Sequence, residues 1–303
     1  MSSPAPVWCY DRPIMASLVA RLPANVAGDF FVDASCIDCG TCRWVAPASF
    51  ASAGEASCVN HQPADESERR RAELALIACP VGAIGTVERH DLRAARDAFP
   101  EPIDGPVHHC GYHAAASYGA TAYLIVRPGG NILVDSPRFS DPLVRRIAAL
   151  GGIRTMFLTH RDDVADHRRF ASHFGCARIL HEADVTRDTA DVEIKLAGRD
   201  PVRLDDETTL IPVPGHTAGS VCLLFRDRYL FTGDHVWWSP ERGRIYASRA
   251  VCWHDWDLLK RSLDRLAGFD FEWLLPGHGQ RCHFPAGAMR RELRRSIAAL
   301  RAA

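Results

Sequence analysis

The stretch Thr159-His160-Arg161-Asp162-Asp163-Val164-Ala165-Asp166-His167 is dense in imidazole and carboxylate side chains. It follows an apolar run, Thr155–Leu158, that reads as a buried strand, and it opens a helix expected over Asp163–Phe174. Metal ligands collect in loops at strand ends, because a rigid sheet fixes them in space. Three further turns of this kind follow in order: Pro214-Gly215-His216-Thr217-Ala218-Gly219-Ser220, Thr232-Gly233-Asp234-His235 and Pro276-Gly277-His278-Gly279. Each comes after a short apolar strand. One histidine in a loop carries no message. Four such turns in series are hard to explain by packing and point to a metal site.

The surrounding pattern is that of a layered α/β domain. Tyr123–Val126 and Asn131–Val134 flank Pro128-Gly129-Gly130, a hairpin signal. Arg178–Leu180, Leu210–Val213, Val221–Phe225, Tyr229–Phe231 and Trp273–Leu275 read as further strands. Helices are expected over Pro142–Leu150, Asp255–Ala267 and Pro285–Ala302. The chain shows no internal repeat and no low-complexity tract.

A second set of ligand residues precedes this domain. Cys36-Ile37-Asp38-Cys39-Gly40-Thr41-Cys42 is closed by Cys79-Pro80. Three thiolates close in sequence and a fourth from a distant turn suit an iron–sulfur cube. The competing zinc site usually pairs two two-residue spacings instead. Cys58 lies between these ligands and reads as a core or edge thiol. Around the cysteines, Asp29–Asp33 and Val81–Val87 read as strands, and a helix opens at Pro63. The expected organisation is an arm over 1–27, a cluster domain over 28–90, a connecting helix and linker over 91–106, and a metal domain over 107–303. The linker rests on Pro100-Glu101-Pro102-Ile103-Asp104-Gly105-Pro106.

Composition sets outer limits. The 303 residues carry a formal net charge of -1, with 47% hydrophobic and 24% charged residues. No basic excess points to nucleic acid or an anionic membrane. The arginines at 290, 291, 294 and 295 are threaded by Met289, Leu293, Ile297 and Leu300 at helical spacing, so they read as the solvated face of a docked helix. No apolar run reaches the roughly 18 residues of a membrane span. The first residues do not read as a signal peptide. Eleven cysteines, an odd number in a large chain, read as reduced thiols in a cytoplasmic protein.

Residues 29–87 resemble the single-cluster bacterial ferredoxins, in Val45-Ala46-Pro47-Ala48-Ser49-Phe50 and Ala78-Cys79-Pro80-Val81-Gly82-Ala83-Ile84 as well as in the ligands. Residues 107–285 resemble the metallo-β-lactamase-fold superfamily. Together the resemblances imply a ferredoxin-like α+β domain holding one [4Fe–4S] cluster on Cys36, Cys39, Cys42 and Cys79. An αββα sandwich holding two divalent ions of iron, zinc or manganese follows it. In that family's pattern His160 and His216 would serve one metal and Asp166, His167 and His278 the other, with Asp234 bridging. Asp135 would support the site from behind, and His235 reads as a neighbour of the ligands. Asp166 would orient the nucleophile.

There is one departure from the family's His-x-His-x-Asp-His run. The second histidine is absent and two residues are inserted. Asp162 has the expected offset and reads as the replacement ligand; Asp163 is the other candidate, and a capping role for Asp162 is the alternative. With Asp162 the set has four imidazoles and three carboxylates. The flavodiiron branch of the superfamily shows the same balance, and extra oxygen donors favour iron or manganese over zinc.

Two activities follow. A dinuclear-metal hydrolase would act on a small-molecule ester, thioester, lactone or amide. An iron-dependent oxidoreductase would take electrons from the cluster domain, with a redox partner protein. A non-enzymatic electron carrier or sensor is the third possibility. His108-His109-Cys110-Gly111-Tyr112-His113 could line the pocket, link the two centres or simply pack. Trp253-His254-Asp255-Trp256 could shape a substrate pocket, and core packing explains its tryptophans equally well.

Overall fold

A computed structural model describes residues 16–302. The arm expected over residues 1–27 lies partly outside the described residues. The chain forms two compact units, divided between Ala95 and Arg96.

The first unit runs β1 (Phe30–Val32), α1 (Thr41–Val45), β2 (Phe50–Ser52), β3 (Ser57–Val59), α2 (Glu66–Ala78) and β4 (Ile84–Thr86). Strand β1 pairs antiparallel with β4, and β2 with β3. Helix α2 begins where Asp65 accepts the Glu68 amide at 2.9 Å, satisfying one of the free first-turn donors. It ends at Ala78, immediately before the ligand-type Cys79 and Pro80. The unit's core holds Phe30, Phe31, Val45, Val59, Leu74 and Ile84, all buried.

Helix α3 (Arg93–Asp97) straddles the division along the chain. Residues 100–106, expected as a linker, instead form a hairpin arm of the second unit. Strand β5 (Glu101–Asp104) pairs antiparallel with β6 (Val107–His109) across a turn at Gly105. The proline content misled because β5 is an edge strand. Pro102 gives up a backbone donor there at little cost, since the far side of the strand needs no partner.

The second unit continues with β7 (Tyr123–Ile125), β8 (Ile132–Val134), α4 (Asp141–Ala149), β9 (Thr155–Phe157), α5 (His167–Phe174), β10 (Ala177–His181) and β11 (Ile194–Leu196). Next come β12 (Val202–Arg203), β13 (Thr208–Pro212), β14 (Val221–Phe225), β15 (Tyr229–Gly233), β16 (Trp237–Ser239) and β17 (Arg244–Tyr246). Then α6 (Trp256–Leu266), β18 (Trp273–Pro276), β19 (Cys282–His283) and α7 (Ala286–Ala302) close the chain. Seven strands form one mixed sheet in the order β11-β10-β9-β8-β7-β6-β5, and six form another in the order β12-β13-β14-β15-β18-β19.

Period-two alternation decides which side chains lie between the sheets. Val221, Leu223 and Phe225 of β14 meet Tyr123, Ile125, Val134 and Phe157 of the seven-stranded sheet in one core. Cys222 and Leu224, one residue out of step, point the other way into a second core with α6 and α7. Met289, Leu293, Ile297 and Leu300 form the apolar stripe of α7 in that core, which leaves the intervening arginines to solvent. Leu124, Leu133 and Met156 face away from the intersheet core and are fully buried, as are Leu143 and Ile147 of α4 and Phe170 of α5. Helices thus cover both sheets, and the ligand turns emerge at the ends of β9, β13, β15 and β18. No helix among the described residues is long and apolar enough to cross a membrane.

His90 gives the first unit a pH-dependent lock. Its Nε2 lies 2.6 Å from Asp29 and its Nδ1 3.1 Å from Glu73, which joins the entry to β1, helix α2 and the segment after β4. Burial opposes the charge, but the two carboxylates outweigh it and raise the imidazole pKa. A raised folded-state pKa means this stabilisation is complete below the unfolded value of about 6.5 and fades as pH rises through the folded value. The thermal midpoint of the full protein's first unit should therefore fall as pH rises above about 6.5. His90→Gln should flatten that dependence, and a profile unchanged by the substitution would show that the lock does not contribute.

Candidate metal and cluster sites

In the first unit, the turn after β1 and the start of α1 bring Cys36, Cys39 and Cys42 to the side of Cys79, together with Val32, Ile37, Thr41, Ser57, Pro80, Val81 and Ile84. Asp38 (φ 56°) and Gly40 (φ 77°) take left-handed conformations that curl the loop tightly enough to aim three sulfurs inward. The Ser57 amide donates to Cys36 Sγ at 3.4 Å, and the Ala83 amide to Cys79 Sγ at 3.3 Å. Such donors stabilise negative charge on sulfur. Burial, with the neighbouring thiols, pushes Cys42 up to about 12, and burial and Cys39 push Cys79 up to about 11. Both sulfurs would need a cation to stay ionised. Cys58 is buried in β3, in keeping with a core thiol.

In the second unit, four turns converge. His160 leaves the end of β9 and is buried. Its Nδ1 lies 3.0 Å from Thr159 Oγ1, which in turn reaches Asp135 at 3.0 Å, and Asp135 also accepts the Thr159 amide at 2.8 Å. With the Thr159 hydroxyl donating to Asp135, it accepts from His160 Nδ1–H. That chain leaves the His160 Nε2 lone pair free to point into the site. His160 Nε2 is buried without a hydrogen-bond partner, and so are both nitrogens of His216 and both oxygens of Asp163. Burial, together with His216, lowers His160 to about 4, so it is neutral at physiological pH.

Two sets of donor atoms lie within 4.8 Å of one another among the described residues: His160, Asp162 and His216; and His160, Asp163 and Asp234. His160 Nε2 is 3.8 Å from both Asp162 and Asp234, and His216 Nε2 is 3.7 and 3.9 Å from the same carboxylates. Asp234 sits at the centre, with His278 Nδ1 2.8 Å from its carboxylate. Burial opposes charge on both partners. Even so, His278, His160 and His216 hold Asp234 far below the usual carboxylate range, and Asp234 lifts His278 to about 10. Burial drives Asp163 well above the usual range, and the charge of Asp234 adds to it. Asp162, at the exposed edge, is held below its usual range by His216 and then His160. Imidazoles and carboxylates at ligand distance from a common centre, several of them buried without partners, fit divalent cations.

The structure does not bring every expected residue into this cluster. Asp166 turns away: its carboxylate accepts the Phe139 amide at 2.7 Å and it stands at the N-cap of α5. His167 is buried but its Nδ1 faces Arg178 Nη1 at 3.2 Å. Helix α5 starts at His167 rather than Asp163, so Asp162 caps nothing and is free to face His216. Neither Asp166 nor His167 belongs to either donor set, whereas Asp163 shares one with Asp234. Asp135 is buried and meets His160 through Thr159. His235 is fully buried, with burial lowering its pKa to about 3.

Close packing fixes these turns. A Cβ at Gly277 would lie 2.7 Å from both Asp163 Oδ2 and Asp234 Oδ1. One at Gly233 would lie 2.4 Å from Thr159 Oγ1, so the backbone can approach only with glycine there. Asp184, which the sequence reading did not single out, joins two ligand turns. It accepts from Thr217 Oγ1 at 2.5 Å, the Gly219 amide at 2.8 Å and the Arg161 amide at 3.1 Å. Its only advance signal is an acidic residue soon after a strand, which is common. His109 and His113 of the His-rich motif are fully buried with Nε2 atoms 2.8 Å apart, and His113 Nδ1 donates to the Gly119 carbonyl at 2.6 Å. They pack behind the turn that carries Tyr118 and lie outside the donor sets.

Both units match known families. Residues 32–86 match the model of the 4Fe-4S single cluster domain of ferredoxin I. Residues 118–278 match that of the metallo-beta-lactamase superfamily. The chain is 37% identical over 123 residues to a hydroxyacylglutathione hydrolase of Anaeromyxobacter dehalogenans (strain 2CP-C), covering 39% of this chain and 46% of that protein. It is 31% identical over 162 residues to one of Acidiphilium cryptum (strain JF-5), covering 52% and 63%. The chain thus spans about half the length of the curated relatives it matches. Among solved structures, DIM-1 metallo-beta-lactamase exposed to ceftazidime superposes with a TM-score of 0.50 at 17% identity, covering 66% of this chain and 95% of that one. With more than half of its residues inside the match, this chain belongs to the metallo-beta-lactamase superfamily.

Proposed function

We infer that the second unit is a metal-dependent hydrolase acting on a small ester or thioester, carried on the same chain as a [4Fe–4S] domain. The observation that carries this reading is the convergence of His160, Asp162, Asp163, His216 and His278 around the Asp234 carboxylate, with buried donor atoms left unpartnered. The relatives named as hydroxyacylglutathione hydrolases support a thioester among the substrates.

His160, Asp162 and His216 would hold one divalent ion, Asp163 and His278 a second, and Asp234 would touch both. When bound, such ions supply Lewis acidity that makes water nucleophilic near neutral pH and polarises a carbonyl. The chain's own residues do the positioning. Thr159 and Asp135 keep His160 in the tautomer with Nε2 facing the site. Asp184 ties the His160 turn to the His216 turn. Asp162, the most exposed carboxylate of the set, faces incoming substrate. Hydrolysis adds water across the acyl bond and releases a carboxylic acid and a thiol or alcohol.

For the cysteine site, three thiolates closely spaced in one loop and a fourth from a distant turn support a cluster over zinc, which usually pairs two two-residue spacings.

The second reading is an oxidoreductase. The donor set, three imidazoles and three carboxylates, is richer in oxygen than the expected four and three, which favours iron or manganese further. Electrons would then come from the cluster domain. Metal analysis of protein purified without air separates the two readings. The hydrolase is supported by thioester turnover that survives Cys39→Ala while that change removes the cluster's visible absorption. Two irons beyond the cluster, reoxidised by O2 faster than the cluster alone allows and without thioester turnover, would sink it in favour of the oxidoreductase.

The ligand assignment has its own test. Asp163→Asn should lower the non-cluster metal content and reduce turnover by about a hundredfold or more, since even loss of a residue supporting a ligand costs 10–100-fold. Asp166→Asn keeps an oxygen to accept the Phe139 amide and should change both by less than about threefold. The reverse order of effects would restore Asp166 to the site and remove Asp163.

A further inference from the structure

Of all phenylalanine, tyrosine and tryptophan side chains among the described residues, only Tyr118 and Trp253 are exposed, at 57% and 60%. Both stand on the metal site. The Tyr118 carbonyl accepts from His278 Nε2 at 3.3 Å, and its ring lies 6.4 Å from the His278 ring. The Trp253 amide donates to the His216 carbonyl at 2.9 Å, and its ring lies 6.4 Å from the His216 ring. Tyr118 carries a second mark: its backbone is left-handed, with φ 48°. A tyrosine resists that conformation, and strain of this kind concentrates where the structure serves a ligand.

Neither ring stabilises the fold by burial in proportion to its size. Each presents a broad apolar face to the solvent beside a cluster of polar donors, the arrangement by which small-molecule sites combine apolar walls with a few convergent polar groups. Such faces take flat apolar groups by offset or edge-to-face contact. We propose that Tyr118 and Trp253 grip the substrate, and that the substrate is an ester or thioester carrying an aromatic ring beside its scissile carbonyl. The donor cluster then acts on the carbonyl while the two rings hold the aryl group. The inference rests on the hydrolase reading and adds the substrate class to it.

Two variants probe the rings without disturbing the ligands. Tyr118→Gly keeps the carbonyl that meets His278 and suits the left-handed backbone better than tyrosine does. Trp253→Ala removes a side chain that is largely in water and keeps the amide that meets His216. Both should match the wild type in thermal midpoint and in non-cluster metal content, a result that a structural role for either ring would not allow. The assay compares phenylacetyl and acetyl thioesters of one thiol, using the full chain with its metals. Wild type should favour the phenylacetyl thioester in kcat/KM, and each variant should lower that ratio by about tenfold, the worth of one aromatic contact. In parallel, saturation-transfer NMR should show phenylacetate binding to wild type and weakened binding to both variants. Equal kcat/KM for the two thioesters in wild type, or a ratio unmoved by both variants, overturns the aromatic grip and leaves the hydrolase standing. Phenylacetate binding that depends on both rings, without turnover of either thioester, keeps the grip and overturns the hydrolase. Absence of both turnover and binding overturns both.

Discussion

The closeness of Asp163 and Asp234 is the constraint on which the second unit depends. Their oxygens, with a ring nitrogen of His160, lie within 4.8 Å of one another, and the Asp163 carboxylate has no hydrogen-bond partner. Two like charges at that distance repel by about 3–4 kcal/mol at an effective dielectric of about 20. Whole domains are stable by only about 5–15 kcal/mol. An arrangement this costly persists where a proton or a cation relieves it. Asp163 relieves it by holding its proton when no cation is near, and His278 relieves it from the side of Asp234. The surrounding sequence is arranged to hold the pair there. Gly277 and Gly233 let backbone approach, Thr159 and Asp135 set one imidazole, and Asp184 ties two turns.

Much of this was readable in advance, and the reason is periodicity. The strands that carry the ligand turns are short apolar runs bounded by glycine, proline or acid, so their order and the positions of His160, His216, Asp234 and His278 follow from sequence alone. The direction of a side chain does not. Asp166-His167 resembles a ligand pair in composition, but its distance from β9 in space depends on how Val164 and Ala165 curl before α5. Ala165 has φ 24°, an unusual backbone that no composition rule supplies. The same limit hid Asp184, whose partners come from residues 23 to 35 positions away in the chain. The edge strand at 101–104 was hidden for the opposite reason. Pro102 within it and Pro100, Gly105 and Pro106 beside it signal a loop locally, and only the position at a sheet edge makes Pro102 compatible with a strand.

The cysteine site shows a different balance. Its expected ligands are tied to one another by short spacing, so the sequence alone picks out three of the four and the turn at Cys79-Pro80 marks the fourth. What the sequence could not supply is the environment of the sulfurs. Burial of Cys42 and Cys79 disfavours thiolate, while amides from Ser57 and Ala83 favour negative charge on Cys36 and Cys79. Those two influences act on the charge that a bound cluster must carry, and hydrogen bonds and burial are the protein's main means of tuning it.

Donor atoms limit the chemistry available to this chain, and they do not select its substrate. Fold alone is still less selective, since one scaffold hosts many activities. Selection falls to groups that reach the reacting centre without binding it. The imidazoles of His109 and His113 are fully buried, and His113 holds the Gly119 carbonyl. Tyr118 and Trp253 are different in kind. Each is attached by its backbone to a ligand histidine and presents its ring to solvent, so either can change with little effect on the metal site. That separation between a rigid donor cluster and an exchangeable aromatic rim is what allows one metal site to serve different substrates. It also explains why the residues that name the chemistry are those set in regular strand ends, while the residues that name the substrate stand in irregular loops.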